Sequence, residues 1–233
     1  MYTGLDTGSS RREVAYQALK HGLLRGDHPP GRRLGEERLA TELGVSRTPI
    51  REALSRLHSD GIVERLPDGG YGPSLVDLHL IRELYEIRFA LERCALRRPD
   101  NGGPPHDRAR LLALRSDWLD LEPASADDDV DADFVLLDED FHERVAAAAG
   151  NDALVTQLHK VNERIRIVRM HDFLTAPRVA DTIEQHVSVL DALLHGDLRL
   201  AEERLVGHFD ESFAVVEERA AVSLARMLEL RRE

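Results

Sequence analysis

Apolar residues recur at spacings of three to five along almost the whole chain, and this periodicity predicts a mainly α-helical fold. From residue 77 onward the helical pattern is broken only by two polar segments, at residues 99–105 and 123–131. The helices predicted in this part span residues 78–97, 106–121, 133–149, 153–173, 178–195 and 199–230. The pattern therefore favours an antiparallel α-helical bundle over residues 77–230, preceded by a smaller and differently patterned segment.

The first helix is predicted over residues 11–24, because the ten residues before it carry no apolar periodicity and are expected to be disordered. Its apolar stripe is expected to face a core and consists of Val14, Ala18, Leu19 and Leu23. Residues 11–76 are assigned to one domain on this basis.

Two short helices and a turn follow in this first domain. They are predicted over residues 36–43 and 46–60, separated by Gly44, which suits the left-handed position that ends a helix. Ser46 is expected to cap the second of them. A helix, a glycine-containing turn and a second helix form the layout that places the second helix in the major groove of DNA.

A hairpin is predicted directly after these helices. Residues 62–66 favour a strand, residues 67–70 (Pro-Asp-Gly-Gly) a tight turn, and the chain from Tyr71 a weak return strand. A hairpin in this position is the wing of a winged helix-turn-helix.

Arginines lie near the start of the second helix. Arg47 and Arg51 are one turn apart, and an arginine side chain can bind a guanine edge through two hydrogen bonds. The opposite face is apolar, is expected to face the core, and consists of Ile50, Leu54 and Leu57. The alternative is that both arginines are solvated surface charges that pair with Glu52 or Asp60.

The run Val-Ser-Arg-Thr-Pro-Ile-Arg-Glu-Ala-Leu, residues 45–54, is the most specific part of a longer resemblance. From Gly31 to Gly70 the chain resembles the winged helix of GntR-family transcription regulators. The resemblance implies a homodimer that binds a short palindromic operator in double-stranded DNA and acts as a repressor. The contact residues that it implies, wing included, are Ser46, Arg47, Thr48, Arg51 and Gly70.

The chain departs from this family at two positions. Glu37 stands where an arginine is common, and Asp68 and Gly69 precede Gly70 where a basic residue is common. Fewer cations near phosphate predict weaker nonspecific DNA affinity and a shallower salt dependence.

A carboxylate and three imidazoles form a second candidate site. Asp138 and His142 are four residues apart and share a helical face, whereas His186 and His208 lie on later predicted helices. These residue types are typical ligands of zinc, nickel or manganese. The spacing alone leaves open that they are polar groups satisfied within the core or at the surface.

A further resemblance bears on this site. Phe141-His142, Gly150-Asn151 and the segments 184–197 and 201–208 make residues 79–230 similar to the FCD-type ligand domain of the FadR subfamily of GntR regulators. It implies a divalent metal, zinc first, with nickel or manganese as alternatives, held inside the bundle. The implied ligands are Asp138, His142, His186 and His208.

A small carboxylate metabolite is the effector implied by the same resemblance. Arg88 occupies a place where the subfamily often carries an arginine and could bind the carboxylate, and Asn162 is a weaker candidate. The alternative for Arg88 is a salt bridge with Glu92, four residues later.

Composition limits the remaining possibilities. The net charge is −12, but residues 1–76 carry 11 basic and 10 acidic side chains, so the acidity lies outside the predicted DNA-binding domain. One cysteine and the lack of a long apolar run favour a cytoplasmic protein with no membrane span. The prediction is a regulator and not an enzyme; a metal-dependent hydrolase, or a regulator that senses the metal itself, are the alternatives.

Overall fold

In a computed structural model, residues 7–28, 32–74, 77–121 and 134–230 are described. The chain divides into two compact units, one formed by residues 1–76 and 218–233 and the other by residues 77–217. The polar segment predicted at 123–131 lies outside the described residues, as do residues 1–6 of the segment predicted to be disordered. Within the described ranges, no helix combines the length and the apolar character that crossing a bilayer requires.

The first unit contains the predicted helix-turn-helix and hairpin. Its helices and strands are α1 (Thr7–Leu24), α2 (Glu36–Glu42), α3 (Arg47–Ser59), β1 (Val63–Arg65) and β2 (Tyr71–Pro73). The strands are antiparallel, with Glu64 opposite Gly72, and α1 packs against α3. Helix α1 begins at Thr7, four residues before the predicted start, so residues 7–10 are helical and not disordered.

The buried face of α1 differs from the predicted stripe. Val14 is 60% exposed and Ala18 is also exposed, whereas Ala15 and Tyr16 are buried beside Leu19 and Leu23. The Tyr16 hydroxyl donates a hydrogen bond of 2.8 Å to Asp60 at the end of α3. This contact orients α1 so that its tyrosine, and not Val14, faces the core.

The helix-turn-helix core is as predicted. Ile50, Leu54 and Leu57 are fully buried, and Gly44 has φ +63°, the left-handed conformation expected between α2 and α3. Ser46 is the N-cap residue of α3, but its side chain makes no capping hydrogen bond. The serine hydroxyl is therefore not used to hold the start of this helix.

The second unit is helical in its described residues. It is built from α4 (Leu78–Leu96), α5 (Arg108–Leu119), α6 (Phe134–Ala148), α7 (Asp152–Arg169), α8 (Ala176–Leu194) and α9 (Leu198–Leu230), with a 3₁₀ turn at Pro99–Asn101. Helix α4 packs against α6 and α7, and α5 packs against α6 and α8. Helix α5 starts two residues later than predicted, because the Asp107 side chain caps it by accepting hydrogen bonds from the amides of Ala109 and Arg110.

Helix α9 contributes to both units, since residues 218–230 group with the first unit. Gly26, which follows α1, has φ +80°, and a Cβ atom there would lie 2.4 Å from the carbonyl oxygen of Ser223 in α9. Arg226 pairs with Asp27 at 2.7 Å. The end of α9 is therefore packed closely against the turn after α1.

Candidate metal centre and DNA-contact helix

Two arginines, Arg47 and Arg51, are both exposed at the start of α3. The side chains of Arg47 and Arg51 are 60% and 64% exposed, and both pair with Glu36, in the first turn of α2. Arg51 donates from Nε to Oε1 at 3.3 Å and from Nη2 to Oε2 at 3.0 Å, whereas Arg47 donates once, from Nη2 to Oε2 at 3.2 Å. Ser46 and Thr48 beside them are exposed too.

The alternative partners proposed for these arginines were wrong. Glu52 pairs with Arg12 at 2.8 Å, and Asp60 accepts the hydrogen bond from Tyr16. The hydrogen bond from Arg51 lowers the pKa of Glu36 below its ordinary value; burial opposes this, and Arg47 adds to it. Glu36 is therefore ionised at neutral pH.

The wing turn is organised around Gly70. Its backbone N–H donates to Oδ1 of Asp68 at 3.0 Å, and a Cβ atom at this position would lie 2.6 Å from Nε of Arg33. Gly70 is buried, and Arg33 pairs with Asp68 at 3.3 Å. The amide of Gly70 is thus used within the turn.

The four predicted metal ligands come from three helices and meet at one point. Asp138 and His142 lie on α6, His186 on α8 and His208 on α9. One ligand atom from each residue lies within 4.8 Å of the others, and all four residues are buried. The four residues that the sequence resemblance implies as ligands therefore lie together, and their binding of a metal stays a prediction.

The spacing of the ligand atoms suits a small cation. The Nε2 atoms of His186 and His208 are 3.4 Å apart, and each lies near Oδ1 of Asp138, at 3.5 and 3.9 Å. Nε2 of His142 lies 3.5 Å from Oδ2 of Asp138. Neighbouring ligand atoms about 2.1 Å from a tetrahedral zinc ion lie about 3.4 Å apart. The shortest separations in the cluster approach this value, and all four atoms lie within 4.8 Å of one another.

Among the described residues, three side-chain atoms of the cluster are buried without a hydrogen-bond partner, and one of them is Nδ1 of His186. The other two are Oδ1 of Asp138 and Nε2 of His142. Buried polar atoms without a partner are costly and rare in folded proteins. A cation bound by Oδ1 of Asp138 and Nε2 of His142 removes that cost for these two atoms.

Neighbouring side chains orient the imidazole rings. Nδ1 of His142 contacts a carboxylate oxygen of Glu92, and Nδ1 of His208 lies 2.8 Å from Oε1 of Gln185. The ring of Phe141 stacks on that of His186, with centroids 3.6 Å apart. Acceptors at Nδ1 favour the tautomers of His142 and His208 that leave Nε2 free to bind a metal.

Burial keeps two of the histidines neutral. It lowers the pKa of His186 and of His208 well below the usual range, and the neighbouring imidazoles act in the same direction. Burial also acts to raise the pKa of Asp138, but the charge of Arg169 and the proximity of His142 outweigh it and lower that pKa. His186 and His208 therefore offer neutral nitrogen donors and Asp138 an ionised carboxylate, the protonation states that metal binding requires.

Two buried arginines lie beside this cluster. Arg88 donates from Nε to Glu92 at 2.8 Å and from Nη2 to Asp138 at 3.5 Å, so the predicted alternative, a salt bridge to Glu92, is present. Arg169 also donates to Asp138, and its Nε and Nη1 atoms have no hydrogen-bond partner among the described residues.

Asn162 is buried; it donates to Glu143 at 3.1 Å and has an unsatisfied Oδ1.

Sequence reasoning missed Arg169, Gln185 and the role of Glu36. Arg169 is the last residue of α7, and Gln185 directly precedes a ligand, but neither position has a spacing that distinguishes it from a surface residue. Glu36 lies within the segment that resembles the winged helix, outside its most specific run at residues 45–54. Its contact with α3 depends on how α2 and α3 pack.

Glu139, next to Asp138, is a carboxylate that a metal-dependent hydrolase would need as a catalytic base. Both of its carboxylate oxygens bind Arg166, at 2.7 to 3.1 Å. Because both carboxylate oxygens are engaged by this guanidinium, neither is placed to accept a proton from a water molecule, so the geometry here does not favour hydrolysis.

Two family models match the chain. One, described as bacterial regulatory proteins of the gntR family, covers residues 11–72, and the other, described as the FCD domain, covers residues 83–211. The first lies on the helix-turn-helix and hairpin, and the second spans all four ligands of the cluster.

Individual relatives agree with these models. The Nta operon transcriptional regulator of Aminobacter aminovorans is 32% identical over 70% of this chain and 74% of its own length. The HTH-type transcriptional repressor RspR of Escherichia coli is 25% identical over 90% of each chain. The solved structure of E. coli McbR/YncC is 23% identical and has a TM-score of 0.53, with 89% of this chain and 97% of that chain covered, which shows the same fold.

Proposed function

Because the chain belongs to the gntR family of bacterial regulatory proteins and carries an FCD domain, it is a DNA-binding transcription regulator and not an enzyme, and we propose that it is a metal-dependent repressor controlled by a small carboxylate. The observation that carries this proposal is the convergence of four buried ligands in the FCD part of the chain. The family models and the relatives that match the chain are transcription regulators, which argues against the hydrolase alternative.

The proposed metal is zinc, bound by Asp138, His142, His186 and His208. The donor set of three nitrogens and one oxygen suits zinc, and nickel or manganese remain alternatives because affinity for nitrogen and oxygen donors varies gradually among these ions. When bound, the ion supplies a positive centre to which a carboxylate can coordinate. The residues around it determine which carboxylates fit.

The proposed effector site includes Arg169 beside the metal ligands. Its unsatisfied Nε and Nη1 groups are buried donors, and a carboxylate is the acceptor that pairs best with a guanidinium. Arg88 is already engaged by Glu92 and Asp138, so it contributes mainly positive charge. Asn162 offers a free carbonyl oxygen, which suits a hydroxyl group of the effector better than its carboxylate.

The proposed DNA contacts come from the start of α3. Arg47 and Arg51 are exposed there, and Ser46 and Thr48 place hydroxyl groups beside them that are suited to phosphate contacts. The backbone N–H of Gly70 already donates a hydrogen bond to Asp68. Gly70 is therefore proposed to act by shaping the wing turn and not by donating to DNA through this amide. Two such units in a homodimer would bind the two halves of a palindromic operator, about one helical turn apart.

Helix α9 is the element through which the two activities are proposed to be coupled. It carries His208 and also supplies residues 218–230 to the DNA-binding unit. An effector that binds one position of His208 more tightly than another shifts the population of α9 positions. Its free energy of binding is thereby linked to operator affinity.

A binding experiment on the full-length protein tests this proposal. A duplex selected from a random library serves as operator, and its affinity is measured with zinc alone and then with zinc plus acetate, succinate or citrate. We expect one of the carboxylates to weaken binding in the presence of zinc only. A change produced by zinc alone would favour the metal-sensing alternative.

Matched variants identify the site. His208→Ala should lower the metal content and abolish the carboxylate response while sparing operator binding without effector. His79→Ala is the control, because the His79 side chain is 86% exposed and does not belong to the buried cluster. Full metal content in His208→Ala, measured by elemental analysis, would contradict the assigned ligands.

A further inference from the structure

The carboxylate of Glu36 joins the two recognition arginines, and we propose that it is a specificity-determining residue that holds Arg51 in position to read a base. This inference rests on the proposed DNA contacts of α3. In this role α2 positions a side chain of α3 for DNA recognition, in addition to packing against α3. Glu36 would contact no DNA in this role and would act through Arg51.

The hydrogen bonds of Arg51 define which of its donors are free. A guanidinium has five N–H groups, and the two-point contact with Glu36 uses the one on Nε and one on Nη2. Both N–H groups of Nη1 and the second one of Nη2 are left for another partner. The O6 and N7 atoms of guanine form an acceptor pair that matches two such donors.

Charge compensation separates the roles of the two arginines. Arg51 is held at two points by an ionised carboxylate, which reduces its net attraction to phosphate more than its ability to donate hydrogen bonds to a base. Arg47 makes a single hydrogen bond to the same carboxylate, through Nη2, and its Nε and Nη1 atoms have no partner in the described part of the chain. We therefore assign base reading to Arg51 and phosphate contact to Arg47.

Orientation before binding also affects specificity. An arginine at an exposed position samples many rotamers, and the contact with Glu36 restricts Arg51 to a subset of them. A restricted side chain loses less entropy when it meets the correct base and adapts less readily to a wrong one. Removal of Glu36 should consequently relax discrimination more than it weakens DNA affinity.

A neighbouring acid provides a matched control. Glu37 is exposed on the same first turn of α2 and carries the same charge, yet the contacts of Arg47 and Arg51 described above go to Glu36. Both substitutions remove one negative charge near the DNA. Only Glu36→Ala also releases Arg51, so the pair separates positioning from electrostatics.

The experiment uses the full-length protein and a duplex library with about 30 randomised base pairs, close to three helical turns. Selection with the wild type defines an operator. The affinities for this operator and for a shuffled duplex of the same composition are then measured over a range of KCl concentrations. The variants are Glu36→Ala, Glu36→Gln, Glu37→Ala and Arg51→Ala.

We expect Glu36→Ala to lower the ratio of operator affinity to shuffled-duplex affinity by about tenfold, the loss that corresponds to one weakened base contact. Sequences selected with this variant should show no base preference at the base pair where Arg51→Ala also loses its preference. Glu36→Gln should fall between the two, because its amide oxygen accepts a hydrogen bond without charge. Glu37→Ala should tighten binding to both duplexes and leave their ratio unchanged.

Three results would overturn the proposal. If Arg51→Ala loses discrimination but Glu36→Ala does not, Arg51 reads DNA without Glu36. If Glu36→Ala and Glu37→Ala change the ratio equally, the effect is one of charge. If the wild type selects no sequence, or if Arg51→Ala behaves as wild type, the DNA contacts proposed for α3 fail and the role of Glu36 fails with them. Should Glu36→Ala lose helicity by circular dichroism, Glu36→Gln is judged by the same criteria.

Discussion

Asp138 and Arg169 form an ion pair in which neither side chain is exposed to solvent. A buried carboxylate is stable only when a cation or several hydrogen bonds compensate its charge. The adjacent His186 and His208 are kept neutral, so they contribute no full charge. Arg169 is therefore the principal compensating charge for Asp138.

Substitution of Arg169 by Met should make folding depend on metal. Arg169→Met keeps much of the side-chain volume but leaves Asp138 without this partner, so we expect a loss of about 3–5 kcal/mol in the free energy of unfolding in EDTA. Zinc should restore more stability in this variant than in the wild type, because the ion takes over the compensation. Urea denaturation with zinc and with EDTA measures both values; an equal effect of zinc on the two proteins would contradict this account.

Substitution of Gln185 by Leu should weaken metal binding without changing the ligands. Gln185 accepts the hydrogen bond that favours the metal-binding tautomer of His208. Residues in this position typically contribute 10- to 100-fold to metal affinity, and we expect a loss of about that size. Competition with a chromophoric chelator measures it. Gln157→Leu, at an exposed position of α7, is the control and should bind zinc as the wild type does.

Substitution of Arg51 by Ala should reduce operator affinity at least about tenfold, because a two-point arginine–base contact is lost. Helicity should be unchanged, and stability should fall only slightly, since the Arg51 side chain is largely exposed and its ion pair with Glu36 is screened by solvent. Arg199→Ala removes the same charge from the first turn of α9, where the Arg199 side chain is 79% exposed. Gel-shift titration should show normal operator binding for this control, and a matching loss in both variants would point to net charge alone.

The pKa of Glu36 is directly measurable. Hydrogen bonds from Arg51, with those from Arg47, hold it below the ordinary value for glutamate. Because the folded-state pKa is depressed, the stability that this group contributes is present above the ordinary pKa and is lost as the pH falls through the lowered one. NMR titration should show the low pKa in the wild type and a return toward the ordinary value in Arg51→Ala. An unchanged pKa in the variant would mean that the contact does not persist in solution.

The sequence predicted helices well where one apolar face and a capping residue coincide. Gly44 and the apolar residues of α3 behave as expected, because both signals are local. The stripe of α1 was misread at Val14 and Ala18, since Tyr16 is amphipathic and its position depends on Asp60, more than 40 residues away. Local periodicity carries no information about such a partner.

The four residues of the buried cluster were singled out because their residue types are unusual and match a known pattern, not because spacing brought them together; their binding of a metal stays a prediction. The arginine predicted beside them, Arg88, is present but engaged, whereas Arg169 has the free donors. Which of two buried arginines is satisfied depends on the packing of α4, α6 and α7. This information is tertiary, and single-sequence reasoning does not reach it.

The close approach of Gly26 to Ser223 has a consequence for how the molecule can be divided. The DNA-binding half is discontinuous in sequence: a fragment cut after residue 76 would lack Ala220, Ser223 and Met227, which are buried. Any larger residue at position 26 would push this contact apart. Chimeras that exchange the helical unit between regulators must therefore keep residues 1–76 together with residues 218–233. Otherwise the apolar side chains that the end of α9 covers will be exposed to solvent.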